Sequence, residues 1–403
     1  MNYSVFIPYL LARASLSLAS TMLTVAIGWH LYQLTGDPYD LALVGLVQII
    51  PMLMLFIVSG WAVDHFSRKR ILILCSVLEG FILLGLAAFM HDGVYDKTSI
   101  FALLFLHGCV RAFFSPAQQA ILPNIVSAQA LSRAVAVTTT VWNAASTSGP
   151  FVAGLFLVWM DQDIYWLLGG LALLGALLYL TLPPIAHTRP LGRGIEQVLE
   201  GIHFIRRNPF VLGSISLDLF AVLFGSVMAL LPIYAVDILK VGADALGVMR
   251  GMPALGAVVV GVIMTRLSLN HTGRSLFLAL VIFAFSILLF AVSKNYWLSL
   301  VALFVYGASD MISVNIRSTL IQLATPDDLR GRVSAVNSIF IATSNQMGDY
   351  RAGAVASVIP APVTVALGGV MALGVAISGY FIFPAIRKLK KMSELEHNPT
   401  QGK

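Results

Sequence analysis

Charge is what this sequence has least of. Only 11% of its 403 residues are Asp, Glu, Lys or Arg, against 58% hydrophobic, where soluble globular domains carry about a quarter charged. With a mean hydropathy of +0.87, a soluble fold is excluded and an integral membrane protein remains. Cysteine is nearly absent: Cys75 and Cys109 both lie in apolar runs, so no disulfide framework is indicated. The phosphate-cradling loop Gly-x-x-x-x-Gly-Lys-Ser/Thr is missing, which argues against an ATP-driven pump. No metal-ligand spacing, nucleophile elbow or other catalytic constellation occurs, so neither an enzyme, a metal site nor a bound cofactor is expected. A cleavable leader is lacking too. The first apolar stretch is long, contains Arg13 and has no small-residue cleavage pattern before it, so the mature chain is expected to begin at Met1.

Long apolar runs are abundant. A spanning helix needs roughly 20 mostly apolar residues. Windows at about 6–33, 41–63, 71–90, 99–121, 133–159, 164–184, 209–236, 244–266, 275–293, 297–321, 333–358 and 363–386 predict twelve. The expected fold is all-α: an N-terminal six-helix bundle over 1–185, a cytoplasmic linker over 186–208, a C-terminal six-helix bundle over 209–388 and a cytoplasmic tail over 389–403. In the linker, Ile195, Val198, Leu199, Ile202 and Ile205 follow helical spacing opposite Glu196, Glu200, Arg206 and Arg207, which predicts an amphipathic helix on the inner membrane surface.

The halves repeat. Leu104, Phe105, Gly108 and Arg111 recur as Leu303, Phe304, Gly307 and Asp310 at an offset of 199, which also carries Arg133 onto Arg332 and Gly149 onto Gly348. Gly45 and Pro51 recur as Gly247 and Pro253 at an offset of 202. Duplication of a six-helix unit explains the series. Placing both termini in the cytoplasm assigns seventeen of the 25 Lys and Arg residues to cytoplasmic segments and leaves Lys97, Lys240 and Lys294 outside, as the positive-inside rule requires. Acidic residues such as Asp92, Asp96, Asp161 and Asp163 fill the outer loops. The pI of 9.3 therefore reflects topology, and no nucleic-acid partner is expected.

Gly60, Asp64, Arg68 and Lys69 lie at the end of the second window. A glycine there admits a close helix neighbour, and Asp64 at a helix end could latch a helix terminus or an arginine. The spacing resembles the loop between helices two and three of the major facilitator superfamily, with His65 and Ser67 departing from the usual residues. The resemblance covers the whole chain. The stretch Gly108 to Ala117, with Arg111 inside it, is similar to the fourth helix of drug and siderophore exporters of that superfamily. Ser148 to Gly154, containing Gly149 and Pro150, resembles a motif associated there with proton-driven antiporters, with Ala153 in place of a second glycine. Leu217 to Gly225, Leu230 to Ala235 and Arg317 to Gly353 look like the branch that includes enterobactin exporters.

Nine charges fall inside the windows, away from their end residues: Arg13, Glu79, Arg111, Asp218, Arg250, Asp310, Arg317, Asp349 and Arg351. Each costs several kcal/mol in hydrocarbon unless it faces protein or water, and each is a functional candidate by default. The resemblance implies that helices one, four, seven and ten line a central cavity, which would carry Arg13, Arg111, Asp218, Asp310 and Arg317. Arg111 and Asp310 are repeat mates of opposite sign and are expected to pair, as are Arg13 and Asp218. Asp218, Asp310 and Asp349 are candidates for proton coupling, each alternatively a fixed ion pair. Asn345, Gln346, Ser344 and Tyr306 could bind a ligand or pack helices. Glu79 reads as a packing group, and His107 as a satisfied core residue or a relay.

The resemblance implies a secondary transporter of a bacterial inner membrane, a monomer in the lipid bilayer, exporting a small organic molecule by proton-coupled antiport. The proton gradient replaces a cofactor. Arg13, Arg111, Asp218, Asp310, Arg317, Asn345 and Asp349 would bind or couple; Gly60, Asp64, Arg68, Lys69, Gly149, Pro150 and Gly154 would gate. The arginines suit an anionic cargo such as a siderophore. The alternatives are a multidrug or macrolide-type efflux pump and, in another class, a membrane sensor or assembly factor without turnover.

Overall fold

The structure is a computed structural model that describes residues 3–91, 96–184, 194–266 and 271–390. Expectations about Asp92, linker residues 186–193 and the tail beyond 390 lie outside the described residues. The elements are helical throughout the described residues: α1 (Tyr3–Thr35), α2 (Pro38–Met54), α3 (Phe56–His65), α4 (Arg68–His91), α5 (Lys97–Ile125), α6 (Ala128–Met160), α7 (Ile164–Leu180), α8 (Gly194–Arg207), α9 (Pro209–Gly225), α10 (Leu231–Ile233), α11 (Ala243–Met264), α12 (Thr272–Val292), α13 (Tyr296–Ala324), α14 (Asp327–Ala356), α15 (Ala361–Ile382) and α16 (Pro384–Lys388).

Nine helical stretches among the described residues are long and apolar enough to cross a membrane, ten when α2 and the residues from Val58 to His65 count as one bent span. Two features account for the difference from twelve sequence windows. The stretch Gln129–Leu180 holds two windows, divided where a 3₁₀ turn at Asp161–Asp163 separates α6 from α7. The window 333–358 falls in α14, where Asn337, Asn345, Gln346, Asp349 and Arg351 dilute its hydropathy. The second window is bent by 56° between α2 and α3. The seventh is interrupted: α9 stops at Gly225, and the chain proceeds through a 3₁₀ turn, α10 and a π turn at Tyr234–Ile238.

Local chemistry sets the helix ends. Asp96 caps α5, its carboxylate accepting from the Thr98 and Ser99 amides at 3.1 Å each. The Ser99 hydroxyl and these amides hold the Asp96 carboxyl below the usual range. Asn208 caps α9 by accepting from Phe210 and Val211, with Pro209 at the first helical position. Asn295 caps α13 through the Leu298 amide.

Residues divide into two compact units. The first holds 1–36, 43–194 and 241–251; the second holds 37–42, 195–240 and 252–403. Each unit thus takes a short stretch from the other half of the sequence.

The repeat reappears as packing. In the first unit a Cβ on Gly108 would fall 2.7 Å from Pro51 Cγ and 2.5 Å from the Gln48 carbonyl; in the second, Gly307 abuts the Pro253 backbone. Gly149 lies against Thr21 of α1, and its mate Gly348 against Val222 and Ser226. The offset of 199 also carries Gly154 onto Gly353. Gly154 sits on the first turn of α11, where a Cβ would fall 2.8 Å from Gly247 Cα, and Gly353 on the first turn of α2, where a Cβ would fall 2.8 Å from the Ala42 amide. Small residues admit this backbone approach where apolar attraction between helices is weak.

The amphipathic linker helix is real, as α8, but it docks on the second unit. Ile205 is buried with Val211, Ile215, Ile321, Val333 and Val336. Glu200 pairs with Arg332, and a Cβ on Gly201 would meet the Arg332 carbonyl at 3.1 Å. Leu199 stays exposed.

Candidate functional site

A polar stripe on α1 and another on α5 enclose a cavity in the first unit, about 420 Å³. Arg13, Ser17, Ser20, Thr21 and Thr24 contribute from α1, and His107, Arg111, Ser115 and Gln118 from α5. Spacings of three and four put each set on one helix face. Trp142 and Ser146 of α6 close another side. Pro150 lacks the N–H that would bond the carbonyl of residue 146, which leaves that helix turn beside the cavity open.

Two guanidiniums face this space. The Arg111 guanidinium donates to Ser20 Oγ at 2.8 Å. Arg13 lies against the Tyr9 hydroxyl, and its buried Nε has no hydrogen-bond partner among the described residues. Tyr9 in turn donates to the Gln118 carbonyl at 3.2 Å, and Gln118 donates to the Tyr179 hydroxyl at 3.3 Å. Glu79 is the acid in the lining, and it is already engaged: its carboxylate lies 2.8 Å from His107 Nδ1, with His107 1% and Glu79 7% exposed. A buried acid without such a partner would carry a large desolvation cost. Sequence reasoning left Glu79 as a packing group and overlooked Ser17, Ser20, Thr21, Thr24, Gln118 and Trp142. The helical period of the α1 and α5 polar residues was the signal that could have found them.

In the second unit the acids converge on one base. Arg317 of α13 pairs with Asp218 of α9, and its second nitrogen lies 3.7 Å from Asp310. Side-chain exposures are 6% for Arg317, 13% for Asp218 and 40% for Asp310. The acids expected to answer Arg111 and Arg13 are therefore held by Arg317. Asp310 and Arg317 stand seven residues apart on one helix, two turns along the same face. Asp349 accepts from Ser226 Oγ. Arg351 reaches the neighbouring helix: Nε donates to the Leu223 carbonyl at 3.0 Å and Nη2 to the Phe224 carbonyl at 2.8 Å. It satisfies the carbonyls freed where α9 breaks, a requirement at membrane depth. Asn345 bonds its own helix at Ile341. Ser344 does the same, and Tyr306 packs on Phe283 with ring centroids 4.5 Å apart.

The expected gating residues separate into packing and capping. No atom outside its own helix turn lies within 4 Å of a Cβ built on Gly60, so the close helix approach expected there is absent. Arg68 donates to the Ala120 carbonyl at 2.8 Å and to Asn124 Oδ1 at 2.5 Å. Lys69 donates to the carbonyls of Leu180 and Leu182. Both cations thus sit at helix C-termini, those of α5 and α7, where the dipole favours them. Asp64 is half-buried.

Apolar helices enclosing a cavity with two cations in one unit, and a buried acid and base cluster in the other, define a multi-pass membrane transporter. The profile described as transmembrane secretion effector matches residues 1–401. The chain belongs to that family of the major facilitator superfamily. It is 24% identical over 396 residues to the enterobactin exporter EntS of Escherichia coli O1:K1, covering 95% of this chain and 92% of that one. An uncharacterized transporter of the superfamily, YfiS of Bacillus subtilis, is 25% identical over 190 residues, and there the chain spans 44% of the relative's length. Among solved structures, a bacterial homologue of the lysosomal transporter Spinster, inward-facing and unoccupied, matches with a TM-score of 0.71 at 13% identity, covering 99% of this chain and 98% of that one. These relatives are transporters, not enzymes, and the cargo of this chain is a small molecule.

Proposed function

We propose that this protein exports a small organic anion, with a siderophore as the leading class, across a bacterial inner membrane in exchange for protons. The observation that carries the reading is the cavity of about 420 Å³ in the first unit, where Arg13 and Arg111 face a single carboxylate already bonded to His107. Its size suits a ligand or a ligand arm, and paired guanidiniums bind carboxylate or catecholate oxygens in a fixed geometry. The relation to an enterobactin exporter supports outward transport. In this reading Ser20, Thr24 and Gln119 supply further hydrogen bonds to cargo, and Trp142 a stacking face.

The proton is carried in the second unit. Asp218 and Asp310 share one guanidinium, so one acid can be neutralised while the other keeps its partner. Asp310, more open and further from Arg317, is the group that takes the proton. Gly149, Pro150 and Gly154 keep α6 packed closely enough to limit leak. Both termini face the cytoplasm in this reading, and the working form is a monomer with no cofactor. The test is uptake into inverted vesicles under an imposed pH gradient, across a panel of siderophores and drugs. Accumulation of siderophores that Asp310→Asn abolishes is expected. Preference for uncharged drugs, or unchanged flux and pH dependence in Asp310→Asn, would overturn the respective part.

A further inference from the structure

A second cavity, about 350 Å³, opens on the outer face of the second unit between α12 and α15. Phe277, Leu278 and Val281 wall one side, and Ile377, Tyr380 and Phe381 the other. Leu278, Ile377 and Phe381 are exposed, so the slot lies open to whatever surrounds the protein. Behind it the wall is firm. Phe277 and Tyr380 meet edge to face with centroids 5.4 Å apart, over a core that includes Leu276, Leu280 and Ala376.

One charge lines the slot, Arg274, in the first turn of α12. It is exposed and has no hydrogen bond or ion pair with another described residue. The same end of the groove is fixed by the returning chain: the Thr272 and Gly273 amides donate to the carbonyls of Lys390 and Leu389 at 3.1 Å. That clamp brings α16 alongside, and Arg387 lays its guanidinium 4.7 Å from the centre of the Tyr380 ring. The groove therefore has a cationic mouth at a helix end and an apolar body running from Arg274 to Val281, about 10 Å at 1.5 Å per residue.

We infer that this groove binds an anionic phospholipid, with the phosphate on Arg274 and one acyl chain lying between Leu278 and Ile377. Charge decides the occupant. A guanidinium with no partner among the described residues matches a phosphate diester, and basic sites between spanning helices are suited to acidic head groups. No carboxylate lines the groove to receive the ammonium of a zwitterionic head group. The inference does not depend on which cargo the transporter carries.

Native mass spectrometry of the purified full chain tests it, with phosphatidylglycerol and phosphatidylethanolamine added back after delipidation. The wild type should retain phosphatidylglycerol in preference. Arg274→Gln should weaken that retention about five-fold, the share of one cation near a head group. Ile377→Trp fills the acyl slot without touching the charge and should also displace the lipid. Equal retention of both lipids, or phosphatidylglycerol binding unchanged in Arg274→Gln and Ile377→Trp, would overturn the assignment.

Discussion

Replacing Arg317 by leucine strands Asp218, which is 13% exposed, opposite an apolar side chain. Removing one partner of a buried pair costs about 3–5 kcal/mol because the other charge stays desolvated. Arg317→Leu should therefore lose roughly 3–5 kcal/mol. Asp310 adds little, being 40% exposed at 3.7 Å and screened accordingly. Thermal unfolding in detergent reads the effect. The double variant Asp218→Asn with Arg317→Leu should recover most of the loss. An unchanged unfolding midpoint in Arg317→Leu, or a double variant no better than the single one, would refute the idea that this pair holds α9 to α13.

Arg111→Gln removes the guanidinium that Ser20 positions and should weaken binding of an anionic siderophore at least about ten-fold, read by ligand-dependent thermal shift. Arg351→Leu leaves the Leu223 and Phe224 carbonyls unpaired at about 1–3 kcal/mol each; a lowered unfolding midpoint is expected, partly restored by Arg351→Lys. Gly108→Ala, pressed against Gln48 and Pro51, should cost about 1–3 kcal/mol by overpacking, whereas Gly60→Ala meets open space and should leave the midpoint in place. The Asp96 cap, its carboxyl held below the usual range by Ser99 and Thr98, stabilises above the unfolded value and is lost as pH falls through the depressed one. Amide protection at Thr98 and Ser99 should fall with it, and should be low at every pH in Asp96→Ala.

Some of the tertiary structure was readable because the repeat constrains it. Pro51 and Gly108 recur with Pro253 and Gly307, and both pairs turn out to be helix contacts, since a small residue opposite a proline-bearing helix is what lets backbones approach. The docking of α8 was not readable. Its periodic apolar face suits a lipid surface and a protein groove equally; Ile205 is buried against Val333 and Val336, while Leu199 and Ile202 are exposed. Gly60 misled for a related reason: a glycine permits close approach without requiring it.

The sequence by itself determined that the chain is a stack of apolar helices in two related halves, and which charges fall within those helices. Hydrocarbon enforces those features residue by residue, through the cost of unpaired backbone and of charge. Tertiary structure alone decided which acid answers which base. Glu79 meets His107, Asp218 and Asp310 meet Arg317, and Arg351 serves the broken end of α9, because position along a helix is written in the sequence while the face a neighbour presents is fixed only when the helices pack.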